Sequence, residues 1–232
     1  SRTVETRSWT LYPSSGNKRS TGEKLMEKIH DDQRVLTEGL DLEDAEKAVV
    51  MVHGRGASAQ SMLQLLDQLP EAAYVAPQAS RRTWYPQSFL EPREKNQPHL
   101  DSALRKVGDV IEKALEFVGR ENVVILGFSQ GACLASEFVA SKPDKSSGVV
   151  LLSGGLIGDE VGDVEGDMEE APVFIGCAEE DPHIPFSRVD ETVDVFEKLN
   201  AEIVEKYVLD GSHHGIVEHE LKKASEIIEG SV

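Results

Sequence analysis

From Lys47 to the end of the chain, short apolar runs rich in β-branched residues alternate with stretches of helical periodicity, and no other feature of the sequence restricts the fold as strongly. The runs are Ala48-Val49-Val50-Met51-Val52, Ala73-Tyr74-Val75-Ala76, Val123-Val124-Ile125-Leu126, Val149-Val150-Leu151-Leu152 and Val173-Phe174-Ile175; Val204 to Leu209 reads as a last, more polar strand. Uninterrupted apolar runs of this length suit strands buried on both faces, as parallel strands are. Between them, Ser102 to Val118 sets Ala103, Leu104, Val107, Ile111, Ala114, Leu115 and Val118 at three- and four-residue spacing, which is one apolar helix face. Ala59 to Leu69, Gln130 to Ser141, Ser187 to Leu199 and Glu218 to Glu229 read as further helices. The alternation predicts an α/β protein: an open, mostly parallel sheet with helices on both faces. Ligands in such sheets bind beyond the carboxyl ends of the strands, so the residues that follow each run carry the functional information.

The segment before Lys47 reads differently. Residues 1 to about 46 are polar and irregular, with Pro13-Ser14-Ser15-Gly16 as a turn and Glu23 to His30 as a candidate short helix. The expected division is an N-terminal extension over 1–34 and a single α/β domain over 35–232, since 232 residues are enough for one sizeable core. At 39% hydrophobic and 28% charged the chain is globular in composition, and no apolar run approaches the roughly 20 residues of a membrane-spanning helix. The N-terminus lacks the basic-then-apolar pattern of a secretory signal, so the expected location is cytoplasmic. Gly154 to Glu170 reads as an acidic loop or lid whose charges are solvated.

A formal net charge of −18 repels phosphate backbones and anionic bilayers, which argues against nucleic-acid binding and membrane insertion. The same acidic excess keeps a surface hydrated in concentrated salt, where screening removes self-repulsion; a halophilic source is the expectation it raises. Activity and melting temperature should then rise with salt, and an optimum near low ionic strength would overturn the idea. The two cysteines, Cys133 and Cys177, lie in apolar sequence and read as core residues, not as a disulfide framework or a metal site.

The chemistry begins where Val123–Leu126 ends. Gly127-Phe128-Ser129-Gln130-Gly131 is a G-x-S-x-G motif set between a strand and a helix, a sharp turn that exposes Ser129 at the helix N-terminus. There the backbone N–H groups and helix dipole favour developing negative charge. A serine hydroxyl needs a general base, and in this arrangement acid and histidine follow the nucleophile in chain order. That leaves His183, His213, His214 and His219. His183 is too close to the best acid to be oriented by it and His219 lies on the final helix, so Asp210-Gly211-Ser212-His213-His214-Gly215, after the last strand, is the expected source of the base, with His213 and His214 both open on spacing. The orienting acid is expected to end the Val173–Cys177 strand, where Asp181 is followed by the turn-fixing Pro182; Glu179 and Glu180 are neighbours, and Asp210 or Asp159 the alternatives. A backbone oxyanion hole would combine the N–H of Gln130 with that of Arg55 in His53-Gly54-Arg55-Gly56. His53 is then structural, and the Arg55 side chain either a surface group or one that meets an anionic substrate.

His53-Gly54-Arg55-Gly56-Ala57-Ser58, Gly127-Phe128-Ser129-Gln130-Gly131-Ala132, Asp181-Pro182-His183-Ile184-Pro185 and the late histidine, taken in order, resemble the phospholipase/carboxylesterase family, which includes acyl-protein thioesterases and small bacterial and archaeal carboxylesterases. The resemblance runs from about Val35 to the C-terminus. Ala76-Pro77-Gln78 and Thr83-Trp84-Tyr85-Pro86 are similar to the prokaryotic esterase branch. It implies the α/β-hydrolase fold and catalytic residues Ser129, Asp181 and His214, the histidine because the family carries an acidic residue six positions beyond it, here Glu220. It further implies that Trp84, Tyr85 and Phe89 line the acyl pocket and that no metal or organic cofactor is needed. The expected function is a serine hydrolase that cleaves carboxylic esters of short to medium acyl chains through an acyl-enzyme, acting on a small-molecule ester as a monomer or homodimer. The alternatives are thioesterase or lipase action on acyl-proteins or lysophospholipids, and a non-catalytic ligand-binding protein on the same fold.

Overall fold

The structure is a computed structural model that describes residues 28–143 and 148–232, together with the backbone of a short strand at Arg7–Trp9. The strands are β1 (Arg7–Trp9), β2 (Val35–Gly39), β3 (Ala48–Val52), β4 (Ala73–Pro77), β5 (Val123–Phe128), β6 (Gly148–Leu152), β7 (Pro172–Ala178) and β8 (Glu202–Leu209). They form one sheet in the order β1-β2-β4-β3-β5-β6-β7-β8. β1 and β2 pair antiparallel and β2 runs antiparallel to β4, while every pair from β4 to β8 is parallel. The helices are α1 (Ala59–Leu63), α2 (His99–Val118), α3 (Gln130–Ser141), α4 (Phe186–Lys198) and α5 (Glu218–Glu229). This is the α/β-hydrolase fold.

Successive side chains on a strand point to opposite faces, and here both faces find a helix layer. Val50, Ile125, Val149 and Ile175 pack with Val107 and Ile111 of α2, Leu134 of α3 and Phe196 of α4. Their neighbours Met51, Val124, Val150 and Phe174 pack with Met62 of α1 and Ile227 of α5. β3 and β6 are buried at every residue, which is why they read as unbroken apolar runs. Each large aliphatic side chain so removed from water contributes about 1.5–3 kcal/mol before the entropy of ordering is subtracted. In α2 Ala103, Val107, Ile111 and Ala114 of the expected stripe are buried together with Leu100 and Val110, while Leu104, Leu115 and Val118 are partly buried against the core.

The expectation of irregular structure up to residue 46 is corrected. Val35–Gly39 is a strand, its inner residues Val35 and Leu36 buried and its outer ones increasingly exposed, so only half of it carries an apolar signal. β1 pairs with β2 through Arg7, Ser8 and Trp9, so the sheet reaches into the segment expected to lie outside the domain. His30 is also fully buried, and its ring bonds the Trp84 carbonyl. The turn at 13–16 and most of the candidate helix at 23–30 lie outside the described residues; Lys28 to His30 are not helical. The helix expected over 59–69 is shorter: α1 ends at Leu63 and continues as a 3-10 turn over Gln64–Gln68. The 154–170 loop is irregular as expected, but it is pinned. Arg188 donates to the carbonyls of Leu156 and Gly158, and Leu156, Ile157 and Met168 are buried. Among the described residues no helix is long and apolar enough to cross a membrane.

Candidate active site

Three strand ends converge on one point. β5 runs into Ser129, whose backbone is held at φ 54° and ψ −121° between the strand and α3. That conformation is costly for a residue with a side chain, and the surroundings impose it. The Ser129 N–H donates to the Leu152 carbonyl of β6 at 2.9 Å, and its own carbonyl accepts from Cys133 inside α3. The turn closes this tightly because of its flanking residues: a Cβ at Gly131 would run into the Val52 carbonyl, and one at Gly127 into that of Gly131. The motif's glycines therefore give the strand, turn and helix room to touch.

His214 sits on the loop between β8 and α5. Its Nε2 is 2.8 Å from Ser129 Oγ and its Nδ1 is 2.7 Å from Asp181 Oδ2. Asp181 follows β7, with a side chain that is 0% exposed. The other carboxylate oxygen accepts from the backbone N–H groups of His183 (2.8 Å) and Ile184 (3.0 Å). The Cys177 thiol lies 3.8 Å from Oδ2, and burial together with the nearby carboxylate pushes that thiol up to about 12, so it stays protonated. The competing acids Glu179, Glu180, Asp159 and Asp210 are all exposed, and His213 turns outward beside Gly215. The choice between His213 and His214, open on spacing, is made by the loop's path.

The Gln130 N–H is the first of α3, where no intrahelical acceptor exists. Neither it nor the Arg55 N–H has a hydrogen-bond acceptor among the described residues. The Gln130 side chain accepts from the Trp84 N–H at 2.8 Å and donates to the Tyr85 carbonyl at 2.9 Å, so the segment after β4 is tied to the serine turn. His53 is buried and structural: its Nδ1 donates to the Gly54 carbonyl, its Nε2 accepts from the Ala79 N–H, and burial lowers its pKa to about 4.

The acyl-pocket expectation for Trp84, Tyr85 and Phe89 is corrected. Trp84 and Tyr85 are 0% and 1% exposed; Trp84 donates to the His53 carbonyl and packs against the rings of His30 and His53. Phe89 is buried near the Arg188 guanidinium. These aromatics support the loop from within the core. Conversely, His183 and Phe128 border the site unforeseen, their ring centroids 4.8 Å and 5.3 Å from that of His214. The only sequence signal for either was adjacency to Asp181 or Ser129.

A family model described as Phospholipase/Carboxylesterase matches residues 41–232. The chain belongs to the phospholipase/carboxylesterase family. Among its members of known structure, a phospholipase/carboxylesterase from Dyadobacter fermentans is 39% identical, covers 88% of this chain and 99% of its own, and superposes with a TM-score of 0.82. The acyl-protein thioesterase 1 of Debaryomyces hansenii is 32% identical over 111 residues, 47% of this chain and 48% of its own. That of Kluyveromyces lactis is 30% identical over 103 residues, 43% and 45%. The match thus spans less than half the length of these curated relatives.

In this family member the carboxylate six residues past His214 has a visible place. Glu220 is 3% exposed, and its Oε2 accepts from the Val217 N–H at 3.0 Å, joining the histidine loop to α5. Burial raises its pKa from 4.5 to about 7, against the opposing pull of the Val217 N–H and His219. Between those two values the folded chain holds a proton that the unfolded chain has lost. The stability present below pH 4.5 is therefore forfeited as pH rises through about 7. Glu220→Gln keeps the acceptor and removes the charge. At about pH 8 it should melt roughly 3–6 °C higher than the parent, from about 1–2 kcal/mol, with no gain near pH 4. Thermal denaturation at both pH values checks this; an equal shift at both would overturn it.

Proposed function

We propose that this chain is a serine carboxylesterase that hydrolyses small carboxylic esters through an acyl-enzyme on Ser129. The observation that carries the reading is the continuous chain of contacts from Ser129 Oγ through both nitrogens of His214 to buried Asp181. In the forward half-reaction Ser129 Oγ attacks the ester carbonyl carbon while His214 Nε2 takes its proton. The carbonyl oxygen becomes an oxyanion held by the free N–H groups of Arg55 and Gln130 at the positive end of α3. Asp181 keeps the proton of His214 on Nδ1 and stabilises the imidazolium. As the intermediate collapses, the alcohol leaves with the proton from Nε2. Water then repeats the sequence on the acyl-serine and regenerates the hydroxyl.

Thioester cleavage by the same residues is the second reading, favoured by the likeness to acyl-protein thioesterases. A fluorophosphonate probe tests the common core of both. It should label Ser129 stoichiometrically and block hydrolysis of a short para-nitrophenyl ester. An unlabelled serine in folded protein would sink the catalytic reading in favour of a ligand-binding role. We also propose that the acidic surface is an adaptation to concentrated salt. Most of the acidic residues described are exposed or half-exposed, with Glu220 and the Asp181 side chain buried.

A further inference from the structure

In a chain of net charge −18, basic side chains are outnumbered, and many are taken. Arg93 pairs with Glu137, Lys95 with Glu91, Arg105 with Asp31, Arg188 with Glu191 and Lys206 with Asp190. Arg55, Arg81 and Arg82 are exposed, and none of them has a carboxylate partner among the described residues.

Arg55 lies beside the reactive serine, and Arg81 and Arg82 lie on a loop bonded to its own. Gly54 lies against Ser129, close enough that a Cβ there would be 3.2 Å from the serine Cβ, and Arg55 is the next residue. The Arg55 guanidinium donates to the carbonyls of Pro86 (2.9 Å) and Gln87 (2.7 Å) and rests 6.0 Å from the Tyr85 ring centroid. Those bonds use two of its five N–H donors and fix its direction. The Arg82 carbonyl accepts from the Gly56 N–H at 2.7 Å, and Arg82 Nε donates to the Ala57 carbonyl at 3.0 Å. Two loops, 54–57 and 80–87, are thereby locked to each other, and the second is bonded to Gln130. Arg81 and Arg82 hold left-handed backbones with φ of 50° and 59°, a strain that only a pinned loop sustains. Across the site, the loops carrying Asp181 and His214 present Glu179, Glu180 and Asp210.

We propose that Arg55, Arg81 and Arg82 form a subsite for an anionic group on the substrate, so that esters with a carboxylate or phosphate near the scissile bond are preferred over neutral ones. The proposal rests on the hydrolase reading above. The protein's overall charge repels anions at long range, but screening confines that field to about 8 Å at physiological ionic strength, so the local cluster decides at contact. Guanidinium forks match the oxygens of carboxylate and phosphate.

The test compares kcat/KM for two ester pairs. One is para-nitrophenyl hydrogen glutarate and its neutral methyl ester, with the anion on the acyl part. The other is para-carboxyphenyl and para-carbamoylphenyl butyrate, with the anion on the alcohol part. The intact protein should prefer the anionic member of one pair at least fivefold, the ratio given by an exposed ion pair of about 1 kcal/mol; which pair responds locates the anion. The preference should shrink in Arg81→Gln, whose side chain makes no other bond among the described residues, and vanish in Arg81→Gln/Arg82→Gln. It should persist in Lys47→Gln, which removes a charge at the far end of β3. A ratio at or below one in both pairs, or a preference undiminished in Arg81→Gln, overturns the subsite. Should the double variant fail to fold, Arg81→Gln alone decides. Absence of hydrolysis of either neutral ester by the intact protein would instead count against the hydrolase reading itself.

Discussion

Ser129→Ala should lose ester hydrolysis to near background, a fall of roughly 10⁶-fold in kcat, with the fold intact. The hydroxyl makes one side-chain contact, to His214 Nε2, and that ring is partly exposed, so water can take the hydroxyl's place. The Cβ that packs against Gly54 remains. A companion variant separates chemistry from strain. Ser129 occupies φ 54°, ψ −121°, which glycine adopts without penalty. Ser129→Gly should be equally inactive yet melt about 2–4 °C higher, as release of about 1 kcal/mol of backbone strain predicts for a domain of this size. Rates with a para-nitrophenyl ester and thermal denaturation give both readouts. Retention of a tenth of the parent rate by Ser129→Ala would eliminate the nucleophile assignment.

The second large effect is expected at Asp181. In Asp181→Asn the backbone N–H groups of His183 and Ile184 still demand an acceptor at the Oδ1 position. The asparagine carbonyl must therefore take that position, and its NH₂ must face His214 Nδ1. An amide NH₂ can only donate there, so the imidazole is forced to carry its proton on Nε2. In that tautomer the ring cannot accept the proton of Ser129. The expected result is a fall of roughly 10⁴ in kcat with little change in KM or melting temperature, because the substitution alters neither volume nor the hydrogen-bond count at the buried site. Activity within tenfold of the parent would show that Asp181 does not set the tautomer. Partial recovery at high pH, where hydroxide in solution replaces the general base, would agree with it.

Much of the site was legible before the fold was known, for local reasons. Gly127, Ser129 and Gly131 are required by a single tight turn, so their meaning survives without tertiary information. Asp181 could be selected among neighbouring acids because Pro182 fixes a turn after it. His213 and His214 could not be separated by spacing, because adjacent loop residues differ only in the direction that the whole loop takes between β8 and α5. Trp84 and Tyr85 were misjudged for a related reason. Aromatic residues after a strand suit a pocket wall or a loop's underside equally well, and here His30, His53 and Gln130, which are distant in sequence, enclose them. β2 was missed because an edge-side strand buries only part of its length and so carries a weak pattern.

The sequence by itself determined the alternating layers and the serine turn, since each follows from periodicity or from residues within one turn of each other. Only the tertiary structure decided which histidine meets Ser129, where the aromatics go, and that the loop of Arg81 and Arg82 is bonded to the loop of Arg55, all three without a carboxylate partner among the described residues. Those outcomes depend on distances between loops that leave different strands, and the sheet's order, with β3 between β4 and β5, sets those distances.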